Sequence, residues 1–341
     1  MLPPTQKLPE APFRSCLHRN FIGTIAIILF GAILFLSSCT HDDDEVIKID
    51  IFDTIPSSEV SGILYAVAPD TANVNTNLYM DVYMPPVYYK DQQFPTVLLI
   101  HAGSYLHGLK SWIEPSAKLL RDLGFVTINI EYRQGWINGP NSQGNYHTLS
   151  EAEYRGMQDA RAALRYIAAH AEEYHIDRDK LFVMGESAGA SIALNSTLAC
   201  NEVILYKSPG LVYNLGGLDE SGNNLPADYT IKAICSKYGS LSDSNYLNQY
   251  NTIPIICFHG ENDDLVPIYK GYFLGNHEVE AYGSRFIFEK QLEFNCPCVF
   301  YMKAGGGHMP SDFAAENTCQ IIADFFNNVL SDSVQSGLYV K

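Results

Sequence analysis

The sequence predicts an α/β fold built on a mainly parallel sheet of eight strands with helices on both faces. Two observations predict it. Continuous apolar, β-branched runs occur at residues 95–100, 125–130, 181–184, 231–235, 253–258 and 298–302, as strands buried on both faces of a parallel sheet require. Between them lie helical patterns at 111–123, 151–173, 188–198 and 313–330, bounded by Gly, Pro or Asp, and regular alternation of strand and helix gives parallel strands joined by right-handed crossovers. Ahead of these, residues 60–67 and 78–84 alternate apolar and polar across an Asn- and Thr-rich turn, which reads as an antiparallel pair at the start of the sheet. Two segments interrupt the rhythm, 134–148 and 206–229, both rich in Gly, Asn and Pro. Loops of that length are usually functional or disordered, and these are expected to wall a cleft.

The bulk properties fit one large core. A chain of 341 residues, 47% hydrophobic and 18% charged, has enough apolar surface to offset the entropy of ordering it. The net charge of −16 excludes nucleic acid as an expected partner, since phosphate binding needs clustered Lys and Arg. The first residues read as an address: Lys7, Arg14 and Arg19, then an uncharged apolar run at 21–36, then Ser37-Ser38-Cys39. That is a basic region, a hydrophobic region and a small-residue cleavage site, and the run is shorter than the roughly 20 residues a membrane span needs. Residues 36–39 resemble the lipobox of bacterial lipoproteins, so 1–38 is expected to be a lipoprotein signal peptide and Cys39 the lipidated residue that anchors the chain to a membrane. His41 to Glu45 resembles a surface-export signal, which makes 39–57 an acidic tether, 58–341 the functional domain and a surface-exposed outer-membrane lipoprotein the expected form. Eight cysteines are present. The six beyond Cys39 permit disulfides without ranking their pairings, no His/Cys spacing suggests a metal, and no cofactor is expected.

The chemistry concentrates in three places. Gly185-Glu186-Ser187-Ala188-Gly189 follows the run at 181–184 and opens a helix, meeting the G-x-S-x-G pattern in its strand-turn-helix context. A serine at so sharp a turn projects its hydroxyl above the sheet. It also needs a base and an orienting carboxylate from elsewhere in the chain. Asp263 lies just past the run at 253–258 and His308 just past that at 298–302. The order Ser187, Asp263, His308 is nucleophile, acid, base. Asp264 competes with Asp263, and either could be no more than a turn residue. An oxyanion needs backbone N–H donors, and His101-Ala102-Gly103-Ser104-Tyr105 follows the run at 95–100. The expected donors are the N–H of Gly103, that of Ala102 or Ser104, and that of Ala188, with His101 a prop of the loop.

Together these stretches resemble the α/β-hydrolase superfamily, and within it the carboxylesterase and hormone-sensitive-lipase-like esterases. HAGSY at 101–105 is similar to their H-G-G-G oxyanion motif, GESAG at 185–189 to their nucleophile elbow, HGENDDLVP at 259–267 to their acid loop, and 157–166 to the helix before the elbow strand. Ala102 departs from the family's glycine, and the connection at 240–252 is too short for the large cap of many lipases, which implies an open cleft. The resemblance implies hydrolysis of carboxylic esters through an acyl-enzyme on Ser187; an open cleft on a surface lipoprotein points to short acyl groups on glycans. Two other readings remain open: a peptidase of the prolyl-oligopeptidase type, and a non-catalytic surface module that only binds.

Overall fold

A computed structural model describes residues 55–89, 91–136, 146–275 and 279–341. Residues 1–54 lie outside the described residues, and with them the expected signal peptide, the lipidation site Cys39 and nearly all of the acidic tether.

Twelve strands occur among the described residues. β1 (Ser58–Pro69), β2 (Asn75–Met84), β3 (Phe94–Ile100), β4 (Val126–Ile130), β5 (Ile176–Glu186), β6 (Ile231–Lys237), β8 (Ile255–Gly260), β11 (Cys298–Lys303) and β12 (Gly337–Val340) form a nine-stranded sheet in the order β1-β2-β4-β3-β5-β6-β8-β11-β12. β7 (Ser240–Leu241), β9 (Lys270–Tyr272) and β10 (Glu280–Gly283) form a small antiparallel sheet beside it. β1 and β2 are antiparallel to their neighbours, and every pairing from β4 to β12 is parallel.

The sheet therefore has nine strands where eight were expected. β12 escaped because it is only four residues long, with Leu338, Tyr339 and Val340 all exposed. It pairs with β11 through backbone register, Val299 with Gly337 to Met302 with Val340, a signal that side-chain pattern does not carry. β5 likewise starts at Ile176, five residues early, because its first turn-facing residues, Asp177 to Lys180, are polar and largely exposed.

Side chains of the inner strands alternate between two cores. Leu98, Ile100 and Val183 face one that includes α2 (Tyr146–Ala169), α3 (Ala188–Leu198) and α6 (Ser284–Glu293); Val97, Leu99, Phe182 and Met184 face the other, closed by α1 (Glu114–Asp122) and α7 (Ala315–Leu330). α3 is buried along its whole length, which explains why its sequence is apolar or small on every side. α6 was not expected. Its inward residues Ser284, Ile287 and Gln291 have helical spacing, but Phe286, Phe288 and Phe294 around them blur the stripe.

The segment at 206–229 is not the irregular loop expected. The last two residues of one short helix, α4 (Asn201–Lys207), and the whole of another, α5 (Pro209–Leu215), occupy its first part. The rest is pinned to α2: Arg161 and Arg165 bond Asp219 at 2.7 and 3.1 Å, and Arg165 bonds the Ser221 carbonyl at 2.8 Å. This half of the segment is frame, because charge-assisted bonds fix it to a helix. The segment at 134–148 ends as helix from Tyr146, and 137–145 lie outside the described residues. Among the described residues no helix is long and apolar enough to cross a membrane.

Candidate active site

Four loops meet where β3, β5, β8 and β11 end, because parallel strands deliver their carboxyl ends to one edge of the sheet. The turn after β5 reverses the chain within a single residue. Ser187 takes φ 53° and ψ −120°, a conformation that costs a non-glycine residue on the order of 1–3 kcal/mol and that the surroundings must enforce. Its N–H donates to the Lys237 carbonyl at 2.8 Å, tying the turn to β6. A Cβ at Gly185 would land on the Gly189 carbonyl, and one at Gly189 on the Ile100 carbonyl and 2.5 Å from that of His101. Both glycines are thus required by the closeness of strand and helix. Glu186 between them is held by the buried Lys237 ammonium at 2.7 Å.

Ser187 Oγ lies 2.8 Å from His308 Nε2, and His308 Nδ1 lies 2.7 Å from Asp263 Oδ2. A carboxylate only accepts, so Nδ1 carries the proton and Nε2 is left to accept from the serine hydroxyl. Asp263 has no exposed side-chain surface. Burial pushes its carboxyl up, but hydrogen bonds from His259, His308 and the Val266 N–H outweigh burial and hold it well below the usual carboxylate range. Asp264, the competing residue, is exposed.

The acid and base loops are clasped together. Glu261 N–H donates to the Lys303 carbonyl at 2.9 Å, Asn262 N–H to that of Gly306 at 2.7 Å, and Gly305 N–H to the Glu261 carboxylate at 2.8 Å. Gly260 permits the approach, since a Cβ there would strike the Gly307 carbonyl.

The loop after β3 is rich in donors. Gly103, Ser104 and Tyr105 have φ of 135°, 53° and 60°, and each carbonyl from Ala102 to Tyr105 is engaged. They accept from His101 Nδ1 (2.6 Å), Leu106 and His107 N–H (2.9 and 3.1 Å), Trp136 Nε1 (2.8 Å) and Gly135 N–H (2.7 Å) respectively. The N–H groups of Ala102, Gly103, Ser104 and Ala188 have no acceptor among the described residues. His101 is fully buried and stacked on Tyr132 at 4.4 Å; burial pushes its imidazole down, so it stays neutral and props the loop.

Sequence reasoning missed a buried polar seam under this edge. Ser187, Ser191 and Asn195 share one face of α3, at spacings of four residues. Ser191 Oγ accepts from the Ser240 N–H at 3.1 Å, and Asn195 donates to Glu153 of α2 at 2.8 Å. Tyr105 of the donor loop bonds the same Glu153 oxygen at 3.2 Å. Burial pushes the Glu153 carboxyl up to about 7. A cavity of about 230 Å³ opens beside it, between Tyr154, Ser208, Asp243, Tyr246 and Glu280. Also missed was His259 at the end of β8, whose Nε2 lies 3.2 Å from the same Asp263 oxygen that His308 contacts. Its signal was its place four residues before the acid in 259–267.

The family described as BD-FAE matches residues 80–243, from β2 through the Ser187 turn to β7. The solved structure titled "Truncated form of carbohydrate esterase from gut microbiota" superimposes over 83% of this chain and 98% of its own, with a TM-score of 0.56 at 16% identity. The chain has the α/β-hydrolase fold. Among curated proteins, Lipase 2 of Geotrichum candidum is 27% identical over 180 residues, 49% of this chain and 30% of the lipase. Dipeptidyl-peptidase 4 of Giardia intestinalis is 22% identical over 255 residues, 68% of this chain and 32% of the peptidase. The chain therefore spans about a third of the length of the curated relatives it matches.

Proposed function

We propose that this α/β-hydrolase is a serine esterase, with Ser187 as nucleophile, His308 as general base and acid, and Asp263 as the carboxylate that orients His308. The observation that carries the reading is the hydrogen-bonded line from Ser187 Oγ through His308 to a buried, ionised Asp263, beside a loop whose N–H groups are unengaged. In the reaction, Ser187 Oγ attacks the ester carbonyl as its proton passes to His308 Nε2. The carbonyl oxygen becomes an oxyanion, to which Ala188 and Gly103 N–H donate, with Ala102 or Ser104 supplying a further donor; each well-placed donor contributes about 3 kcal/mol. The C–O bond to the alcohol breaks, His308 returns its proton to the leaving oxygen, and an acyl-serine remains. Water then attacks that acyl-serine by the same route, releasing the acid and free Ser187. Asp263 keeps Nδ1 protonated and stabilises the imidazolium, without taking the proton itself.

For the substrate we propose short acyl groups on glycans. The carbohydrate-esterase title of one structural relative supports that choice. A lipid anchor on Cys39, holding the enzyme at the outer membrane with its catalytic domain facing outward, completes the proposal; protease added to intact cells should remove it, and protection until lysis would contradict that placement.

The test is steady-state hydrolysis of p-nitrophenyl acetate, butyrate and octanoate by the purified chain beside Ser187→Ala. Turnover that falls with acyl length and vanishes in the variant is the expected result; folded wild type without turnover would refute it. The dipeptidyl-peptidase relative, which matches more of this chain than the lipase does, favours a second reading as a peptidase. Faster turnover of a dipeptide p-nitroanilide than of any ester would establish that reading instead.

A further inference from the structure

We infer that His259 and Ser284 form a positioning pair that sets how strongly Asp263 acts on His308; the inference rests on the proposed roles of Ser187, Asp263 and His308. Asp263 Oδ2 is shared by two imidazoles: His308 Nδ1 at 2.7 Å and His259 Nε2 at 3.2 Å. Oδ1 accepts from the Leu265 and Val266 N–H groups, each at 2.9 Å. The carboxylate is therefore fixed by donors on both oxygens, and it cannot rotate about its terminal bond without breaking several of them.

The proton on His259 can be located from its neighbours. Nε2 also lies 3.0 Å from the Val266 carbonyl oxygen, and neither a carbonyl nor an ionised carboxylate can donate. Nε2 must carry the hydrogen and divide it between the two. Nδ1 faces Ser284 Oγ at 2.8 Å. Both side chains are fully buried, and with the hydrogen on Nε2 the Nδ1 lone pair is left to accept from the Ser284 hydroxyl. Ser284 thus locks the tautomer in which His259 donates toward the acid. Without that hydroxyl, only the Val266 carbonyl and the Asp263 carboxylate oppose the tautomer that would turn a lone pair on Nε2 against them, and the preference weakens.

The arrangement also says where the second donor comes from. Ser284 opens α6 directly after β10, the middle strand of the small sheet, so the pair couples that sheet to the acid loop. Its chemical consequence has a sign. A donor on Oδ2 withdraws carboxylate charge that His308 would otherwise receive. Removing it should strengthen the Asp263–His308 interaction electrostatically while loosening its geometry. The groups that face His308 are Asp263, Ser187 and the edge of Tyr238, at 5.8 Å between ring centres; those that face His259 are Asp263, Ser284 and the Val266 carbonyl.

The experiment compares wild type with His259→Leu, His259→Gln and Ser284→Ala, using the purified chain and p-nitrophenyl acetate across pH, together with the NMR titration of the His308 ring. His259→Leu is expected to lower kcat about 10- to 100-fold, the scale for loss of an orienting partner behind a reacting group, with KM within about twofold. The acidic limb of its pH profile and the midpoint of the His308 titration should both move to higher pH. His259→Gln, whose side-chain amide restores a donor near Nε2, should recover most of kcat, and Ser284→Ala should shift the limb in the same direction as His259→Leu. A folded His259→Leu with unchanged kcat, limb and titration would overturn the inference; if it does not fold, an unshifted limb and titration in Ser284→Ala would do so. Wild type inactive toward the ester would instead count against the proposed function, and the His308 titration would still decide whether His259 acts on Asp263.

Discussion

Gly189 offers the sharpest test of how the elbow is built. Its backbone is not in the left-handed region, so alanine meets no conformational penalty there; the whole cost is steric. The added methyl would sit on the Ile100 carbonyl oxygen and 2.5 Å from that of His101, atoms of the β3 end that cannot swing aside as a side chain can. Overpacking of this kind costs about 1–3 kcal/mol in ordinary cores, and contact with backbone on two atoms places Gly189→Ala at the upper end, about 3 kcal/mol. For a domain of this size that lowers Tm by roughly 5 °C. The strain is relieved by moving α3 away from β3, which separates the Ala188 N–H from the donors of the 102–104 loop; a displacement near 1 Å at such a site costs about 100-fold in kcat. Thermal unfolding by circular dichroism and ester turnover measure the two effects on one sample. Gly210→Ala is the control, since a methyl there meets nothing within 4 Å and replaces glycine within α5. Equal melting temperatures for Gly189→Ala and wild type would refute the reasoning that strand–helix contact dictates this glycine.

Glu153 gives a pH prediction. Its carboxyl is raised from 4.5 to about 7 by burial, so between those values the folded chain keeps a proton that the unfolded chain has released, and stability falls as pH rises. The penalty is complete above pH 7 and amounts to about 3 kcal/mol. Urea unfolding at pH 5 and pH 8 should show that loss in wild type and not in Glu153→Gln; parallel pH slopes would contradict it. Asp159 is buried and bonded to Arg133 at 2.8 Å. Asp159→Ala should cost about 3–5 kcal/mol, since it strands a buried guanidinium, and a Tm within 2 °C of wild type would be the contrary result. Asp263→Asn should lower kcat by about 10⁴-fold, because an amide can donate to His308 and turn it to the wrong tautomer; stopped assays at high enzyme concentration would measure it, and a loss below tenfold would count against the role of Asp263.

Much of the architecture was legible because the inner strands are buried on both faces and carry little but apolar side chains. Residues 95–100 match β3 but for Phe94, and 253–258 cover the first four of the six residues of β8. Legibility failed where hydrogen bonding rather than side-chain burial makes the element, as at β12, and where buried charge replaces apolar contact, as in the arginine-pinned stretch after α5. At the site, Ser187, Asp263 and His308 each follow a strand end in the sequence, and folding brings them within hydrogen-bond distance of one another. His259 stood in the sequence only as the first residue of the acid-loop stretch, because its partners, Val266 and Ser284, are turns or elements away. The Glu153 contacts join α2 to α3 and to the loop after β3 across 42 and 48 residues, a pairing that no local pattern encodes.

The central claim, that Ser187 is an activated nucleophile, is tested most directly by intact mass spectrometry after exposure to a fluorophosphonate. The account predicts a single adduct on Ser187, absent from Ser187→Ala and formed much more slowly in His308→Ala. A folded wild-type chain that gains no adduct, or one that gains it equally after Ser187→Ala, would contradict the account.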